Sequence, residues 1–355
     1  MRIITLMLTI VAALIPAACS KTLTDTAPAG EAVVEFRLAA PSTKSGDPET
    51  QVNSWCLLLF DPGGNKVAEP GLASGSAAIQ MFVPAGVYEA WAVCNYPSTG
   101  GSAFNPASVT TRSQLLSAVS YLTDNSTGAL VMAAGKVVNL IAGTATESIA
   151  VDRLVSRVGV NAIRVEMSSP YWASKTFILK HIYVTNVCGQ SSIGSDLPSA
   201  ALSWSADHWY NVMGWHGAGS GYYDGSAWSA GTSSLLDALT ADRDIDAVIA
   251  DGETYDARSR FYVYPNPVGS DTRGGIWNAP KSSRIVIEAT IGGTTYYYTI
   301  SLPSMSRNRS YVAEDVVIRR PGSIDPEEEI PGTIEVTWRT DTDGWDGPIQ
   351  VTEQS

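Results

Sequence analysis

The feature that most restricts this chain is two-residue alternation of apolar and polar side chains, repeated along most of its length. In AVVEFRLAA, Ala32, Val34, Phe36 and Leu38 fall on one face, and Glu35 and Arg37 on the other. Successive strand residues point to opposite faces, so this pattern sets one face of a sheet on a core and the other toward solvent. GVYEAWAVCNYP, LVMAAGKVVNLIAG, ESIAVDRLVSRVGVNAIRVEM, KTFILKHIYVTNV, RFYVYPNP, SYVAEDVVIRR and TIEVTWR also read as strands. WCLLLF reads as a buried strand running into a turn at Asp61-Pro62-Gly63-Gly64. In SRIVIEATIGGTTYYYTISLP, IGGTT marks a hairpin between Ile287 and Tyr297. The expected architecture is all-β, built of antiparallel sandwiches, with a domain boundary near Ala150.

Two short helices interrupt the strands. TTRSQLLSAVSYL carries a capping box, Thr111 with Gln114, and sets Leu115, Leu116, Val119 and Leu122 on one side. SSLLDALTADRDIDAVI reads as a second helix.

The N-terminus has a different character. Arg2 and the α-amine precede an apolar run from Ile3 to Ala18, which is shorter than the roughly 20 residues that span a bilayer. A positive start, an apolar centre and small residues at Ala17 and Ala18 describe a secretory signal peptide, residues 1–18. Cys19 follows directly. This junction resembles the lipobox of bacterial lipoproteins, in which the Cys is acylated and becomes the mature N-terminus; Pro16 stands where the motif usually has Leu. The alternative is a plain signal peptide with an incidental Cys. Acyl burial yields about 0.8 kcal/mol per CH₂, and two or more chains anchor stably.

Composition excludes several classes of function. The net charge is −12 and no basic tract exists, which argues against a nucleic-acid partner. After Cys19 three cysteines remain, Cys56, Cys94 and Cys188, and an odd number cannot all pair internally. Cys56 and Cys94 are either a disulfide or two buried thiols acting as small hydrophobes, and the second reading is preferred. No CxxC or His/Cys cluster suggests a metal site, and His208 and His216 lack an obvious third ligand. GAGSG follows no apolar strand, no GxSxG elbow is present, and Glu327 to Glu329 read as a solvated linker. The chain reads as a non-enzyme without a cofactor. Trp204, Trp209, Trp215 and Trp228, with Tyr210, Tyr222 and Tyr223, make an aromatic stretch over 204–228. It either pins down a long loop or stacks on sugar rings or peptides.

The order of pieces carries a family resemblance. LLLFD, YEAWAVCNYP, LVMAAG, IAVDRLVSRVGV and FYVYPN, in that order behind a lipobox, resemble the fimbrillin family, subunits of the type V pili of Bacteroidales. The resemblance covers nearly the whole mature chain. It implies two tandem transthyretin-like Greek-key β-sandwiches, here residues 19–150 and 151–355. It also implies a surface fimbrium built by strand exchange. In such subunits an outer-surface protease cuts after the first strand, and a neighbour's C-terminal segment takes its place. Carried onto this sequence, the released strand is Val34, Phe36 and Leu38, sitting as a peripheral ribbon of the first sandwich. The donor is the tail 333–355, with Ile334, Val336 and Trp338 on one face and Trp345, Ile349 and Val351 available for a second short strand. The cleavage position falls on Lys44, where the family usually has Arg. An Arg-selective protease would discriminate against the ammonium, whereas a trypsin-like one accepts it. The implied partners are other fimbrial subunits (identical copies, anchor or tip proteins), outer-membrane lipid before processing, and the protease. The alternatives are a lipid-retained anchor subunit and a non-polymerising surface lipoprotein that binds glycan or protein through 204–228.

The lipobox reading has a direct check. Cys19→Ser should abolish incorporation of labelled palmitate and shift the protein out of the outer-membrane fraction; unchanged labelling would leave the junction a plain signal cleavage site.

Overall fold

The computed structural model describes residues 30–39, 48–75, 77–97, 104–188, 190–194, 209–211, 223–224, 241–242, 245–266, 269, 282–326, 328–339 and 345. Cys19, Lys44, Ile349 and Val351 lie outside them, as does most of 204–228. The first part of the chain forms β1 (Glu31–Ala39), β2 (Ser54–Phe60), β3 (Gly71–Ser74), β4 (Ile79–Pro84), β5 (Gly86–Cys94), β6 (Val119–Tyr121), β7 (Met132–Leu140), β8 (Gly143–Ala150) and β9 (Asp152–Arg153). A three-stranded sheet, β4-β1-β8, faces a five-stranded sheet, β3-β2-β5-β7-β9. Their shared core holds Val34 and Phe36 from β1, Met81 from β4 and Ile149 from β8. Trp55 and Leu57 from β2, Tyr88 from β5 and Leu140 from β7 complete it.

The second part contributes β10 (Ser156–Val165), β11 (Phe177–Thr185), β12 (Val187–Cys188), β13 (Gln190–Ser192), β14 (Trp209–Asn211), β15 (Tyr223–Asp224), β16 (Ala241–Asp242) and β17 (Ala247–Ile249). It ends with β18 (Thr254–Val263), β19 (Arg284–Ile291), β20 (Thr294–Ser301), β21 (Ser310–Ile318) and β22 (Ile334–Trp338). The sheet β18-β10-β21-β22 packs on the sheet β16-β11-β19-β20, with β17 also on β11. β6 pairs with β13, joining the first part of the chain to the second. The backbones of β12, β14 and β15 make a small sheet that takes in part of the aromatic stretch.

The local chemistry explains much of this. Gly292 and Gly293, at φ +57° and +90°, turn the β19–β20 hairpin in two residues, as the type I′ geometry requires. The capping box forms as read: Gln114 N–H donates to Thr111 Oγ1 (3.3 Å) and Thr111 N–H to Gln114 Oε1 (3.2 Å). The helix it starts, α1 (Arg112–Ser117), is shorter than the sequence pattern implied. Val119 leaves the helix for β6, because the β-prone Val119–Tyr121 finds a ladder partner in β13. The second expected helix is corrected in its C-terminal half: Ala241–Asp242 and Ala247–Ile249 are strands on the edge of β11.

The sheets are mixed, which corrects the antiparallel expectation. β1 runs parallel to β8 and β10 runs parallel to β21. Three bulges also break the two-residue period. The inward residues are Val158 and Val160 but then Ile163 and Val165 on β10, with a register shift between Val160 and Ala162. The same switch occurs on β11, from Phe177 and Leu179 to Ile182 and Val184, and on β21, from Tyr311 and Ala313 to Val316 and Ile318. One extra residue at each bulge keeps the apolar side chains on the core through a change of parity.

Cys56 and Cys94 are free and buried. Cys56 sits opposite Val93 and Cys94 opposite Trp55, so the two thiols point to opposite faces of the sheet and enter different cores. Burial pushes the Cys56 thiol up to about 12 and raises that of Cys94 as well. Below the ordinary thiol value of 9.0 both folded and unfolded chains carry neutral thiols, and the shift has no effect. Above it the unfolded chain loses these protons first. Stability should therefore fall as pH rises from about 9 toward 12, and Cys56→Ala with Cys94→Ala should flatten that decline in urea titrations. Neither thiol should react with a thiol reagent at neutral pH until the protein unfolds.

Candidate functional site

β1 lies in a slot with two walls. It pairs antiparallel with β4, from Glu31 opposite Pro84 to Phe36 opposite Ile79, and parallel with β8, from Ala32 opposite Gly143 to Ala39 opposite Ala150. Ala32, Val34 and Phe36 are fully buried on the floor formed by β2, β5 and β7, and half-buried Leu38 packs on the same core. The floor includes Trp55, whose Nε1–H donates to the Ala77 carbonyl at 3.0 Å. On the outer face Arg37 pairs with Glu35 in the open, a contact of little energetic consequence. The structure brings Val34, Phe36 and Leu38 together as one inward row, as the alternation predicts. It corrects their expected position at the sheet's periphery: β8 returns along the second edge of β1, so the strand is central.

Removing this strand would expose both walls. Each ladder hydrogen bond nets about 0.5–1.5 kcal/mol and each large buried apolar side chain about 1.5–3 kcal/mol. An occupant must run parallel to β8 and antiparallel to β4, with apolar residues at every second position. The walls were not fully apparent in the sequence. β4, IQMFVP, buries Ile79, Met81 and Val83 alternately, but the exposed Phe82 between them hides the two-residue period in the sequence; GTATESIA, which becomes β8, is too polar to announce a partner for β1.

The tail strand β22 ends its sheet and pairs antiparallel with β21, Ile318 opposite Ile334 and Ala313 opposite Trp338. Ile334, Val336 and Trp338 are half-buried against the second core, whereas Glu335 and Thr337 are exposed. Arg319 holds the Glu335 carboxylate through Nε (3.1 Å) and Nη2 (2.9 Å), and those hydrogen bonds depress the carboxyl's pKa. β22 therefore uses one ladder where β1 uses two. Trp345, expected on a second short strand, instead sits alone in a buried polar cage, 1% exposed. Sequence reading missed the cage because Glu49, the Arg153 and Arg157 pair, Tyr262 and Trp345 are far apart in the chain.

Among the described residues no group of three or more His, Cys, Asp or Glu side chains could hold a metal ion, and no helix is long and apolar enough to cross a membrane. An open groove of about 700 Å³ runs beside the Asp61–Asn65 turn, between β5, β7 and α1. Arg112 bonds Glu89 across it, at 2.6 Å.

No protein-family model matches the sequence, and no curated protein matches it either. Solved structures do share its fold. A candidate cell adhesion protein of Bacteroides eggerthii superposes with a TM-score of 0.59 at 18% identity, over 89% of this chain and 97% of that one. Another, from Parabacteroides distasonis, gives 0.60 at 14% identity, over 87% and 98%. A fimbrilin of Porphyromonas gingivalis gives 0.59 at 11% identity, over 86% and 96%. At these identities the likeness is one of fold: the chain has the tandem β-sandwich architecture of these proteins.

The slot geometry predicts a sharp contrast along β1. Phe36→Ala should cost about 3–5 kcal/mol in denaturant unfolding, and Arg37→Ala should stay within about 0.5 kcal/mol of the parent. Equal effects would mean that the inward row is not the part that holds the strand.

Proposed function

We propose that this chain belongs to the fimbrillin family and is a structural subunit of a cell-surface fimbrium. In this reading it is exported as a lipoprotein through Cys19, trimmed at Lys44 and polymerised by donor-strand exchange. It is not an enzyme. The observation that carries the reading is the placement of β1. It comes first among the described strands, is paired on both edges, and precedes the segment 40–47 that contains Lys44. A single cut in that segment would let the strand leave without unthreading any other element. The shared fold with a fimbrilin and with candidate adhesion proteins supports the same assignment.

A central strand suits exchange better than a peripheral one. Its loss leaves two unpaired ladders flanking an apolar floor, so the replacement is registered from both sides. The tail supplies a matching row in Ile334, Val336 and Trp338. When Trp338 takes the place of Phe36 or of Leu38, all three apolar residues stay inward; a slip of one residue would turn them to solvent. The first sandwich, whose sheet extends past the expected boundary at Ala150 to β9, thus receives, and the second presents the donor. Detaching β22 breaks one ladder and gains two, which gives the exchange its direction. The partners are other subunits of the fibre, outer-membrane lipid before trimming, and a trypsin-like surface protease.

N-terminal sequencing of protein recovered from cells, with electrophoresis of unboiled samples, tests this. The expected result is a chain starting at Ser45 that runs as a ladder, and a ladder that disappears when residues from Thr333 onward are deleted. An acylated Cys19 on a chain that never forms a ladder would replace this reading with a lipid-retained anchor or a monomeric surface binder.

A further inference from the structure

The proposed donor tail is tied to its own subunit at one buried residue, Glu49. The Trp345 Nε1–H donates to Glu49 Oε2 at 2.9 Å, and the same oxygen accepts from Arg157 Nη1 at 3.0 Å. Tyr262 donates its hydroxyl to Glu49 Oε1 at 2.5 Å. The Glu49 carbonyl accepts from Arg153 Nε at 2.9 Å. The Trp345 indole stacks on Tyr262 at 6.4 Å and 25°, with the Arg153 guanidinium 4.3 Å and that of Arg157 5.2 Å from its ring centre. Arg153 is set in turn by Asn308, and Arg157 by Ser310. A charge-assisted acceptor, two cations on an electron-rich face and a stacked ring are all spent on one side chain of the tail.

The position of Glu49 matters as much as its bonds. It belongs to the short 3₁₀ turn Pro48–Thr50, which in sequence directly follows the segment that carries Lys44. One residue therefore touches both halves of the proposed exchange: the connection that must be cut to free β1, and the tail that must leave to donate.

We infer that the Trp345 cage is an autoinhibitory latch. It holds β22 and the tail on the parent subunit and ties their release to the segment cleaved at Lys44. This rests on the strand-exchange reading above. Before the cut, β1 and the 48–50 turn hold Glu49 in place, and Trp345 stays docked. After it, Glu49 lies close to a new chain end with a free α-ammonium, a charge that competes with Trp345 and Arg157 for the carboxylate. A subunit thus withholds its donor strand until its own slot has opened, which suppresses premature polymerisation during export.

Hydrogen exchange on the uncleaved chain, read by mass spectrometry, tests the latch without requiring a polymer. Trp345→Ala should speed exchange of the β22 amides at least tenfold and leave those of β2 and β5 unchanged. Trp345→Phe, which keeps the stack and loses the N–H, should fall between and serves if the alanine variant folds poorly. Unchanged β22 exchange in both variants would overturn the latch. Uncleaved Trp345→Ala, mixed with trimmed chains that lack residues from Thr333 onward, should also donate its tail several-fold faster than uncleaved parent; an equal rate despite faster exchange would overturn its gating role. If exchange responds but neither uncleaved protein joins the trimmed chains, the latch stands and strand donation is the idea that falls.

Discussion

Burial of the β3-β2-β5-β7-β9 sheet on both faces is the constraint on which the rest depends. One face of β2 and β5 carries Trp55, Leu57, Leu59, Ala90 and Ala92 and forms the floor under β1. The other carries Cys56, Leu58, Phe60 and Val93 and is covered by Phe104, Val109, Leu115, Leu122 and Leu130. That cover continues without a break into the apolar core of the second sandwich. The sheet is thus wall to one core and partner to another. This is why its interior strand β2 reads SWCLLLF with no polar residue between Trp55 and Phe60, and why its two cysteines are neighbours in the sheet yet never meet.

Polar contacts at the junction of the two halves reinforce this coupling. Tyr264 from the second half shares its hydroxyl with Ser120 at 2.7 Å and Asn125 at 2.9 Å from the first. Glu49 and Arg157 form a buried ion pair across the same junction, with side chains 8% and 6% exposed. Buried pairs of this kind are weak sources of net stability, yet each partner is costly to leave alone. Here the same carboxylate also receives the Trp345 N–H.

The strands β1 and β22 differ in the way an exchange mechanism needs. β1 is central, double-laddered and floored by large side chains; β22 is terminal in its sheet and single-laddered. In the proposed exchange, a slot that binds more strongly than the donor's resting place would make assembly downhill. There an intact β1 would also act as a plug, since its site is already satisfied on both edges.

The sequence by itself determined most of the long strands, where the tight turns fall and how α1 begins. Those features rest on neighbours a few residues apart: alternation in AVVEFRLAA, the two glycines at 292–293, Thr111 with Gln114. It did not determine that β1 is central, because its second partner, GTATESIA, lies more than a hundred residues away and carries no apolar signature. Nor did it reveal the three bulges, since a change of parity looks like noise until the paired strand fixes the register. The end of α1 at Ser117 was decided by a ladder partner in β13, and the docking of Trp345 by a carboxylate from the 48–50 turn and two guanidiniums and a phenol from β9, β10 and β18. Local preference is written in local sequence. Which edges meet, and which charged group finds an aromatic ring, depends on the closure of long loops, and that is settled only when the whole chain has packed.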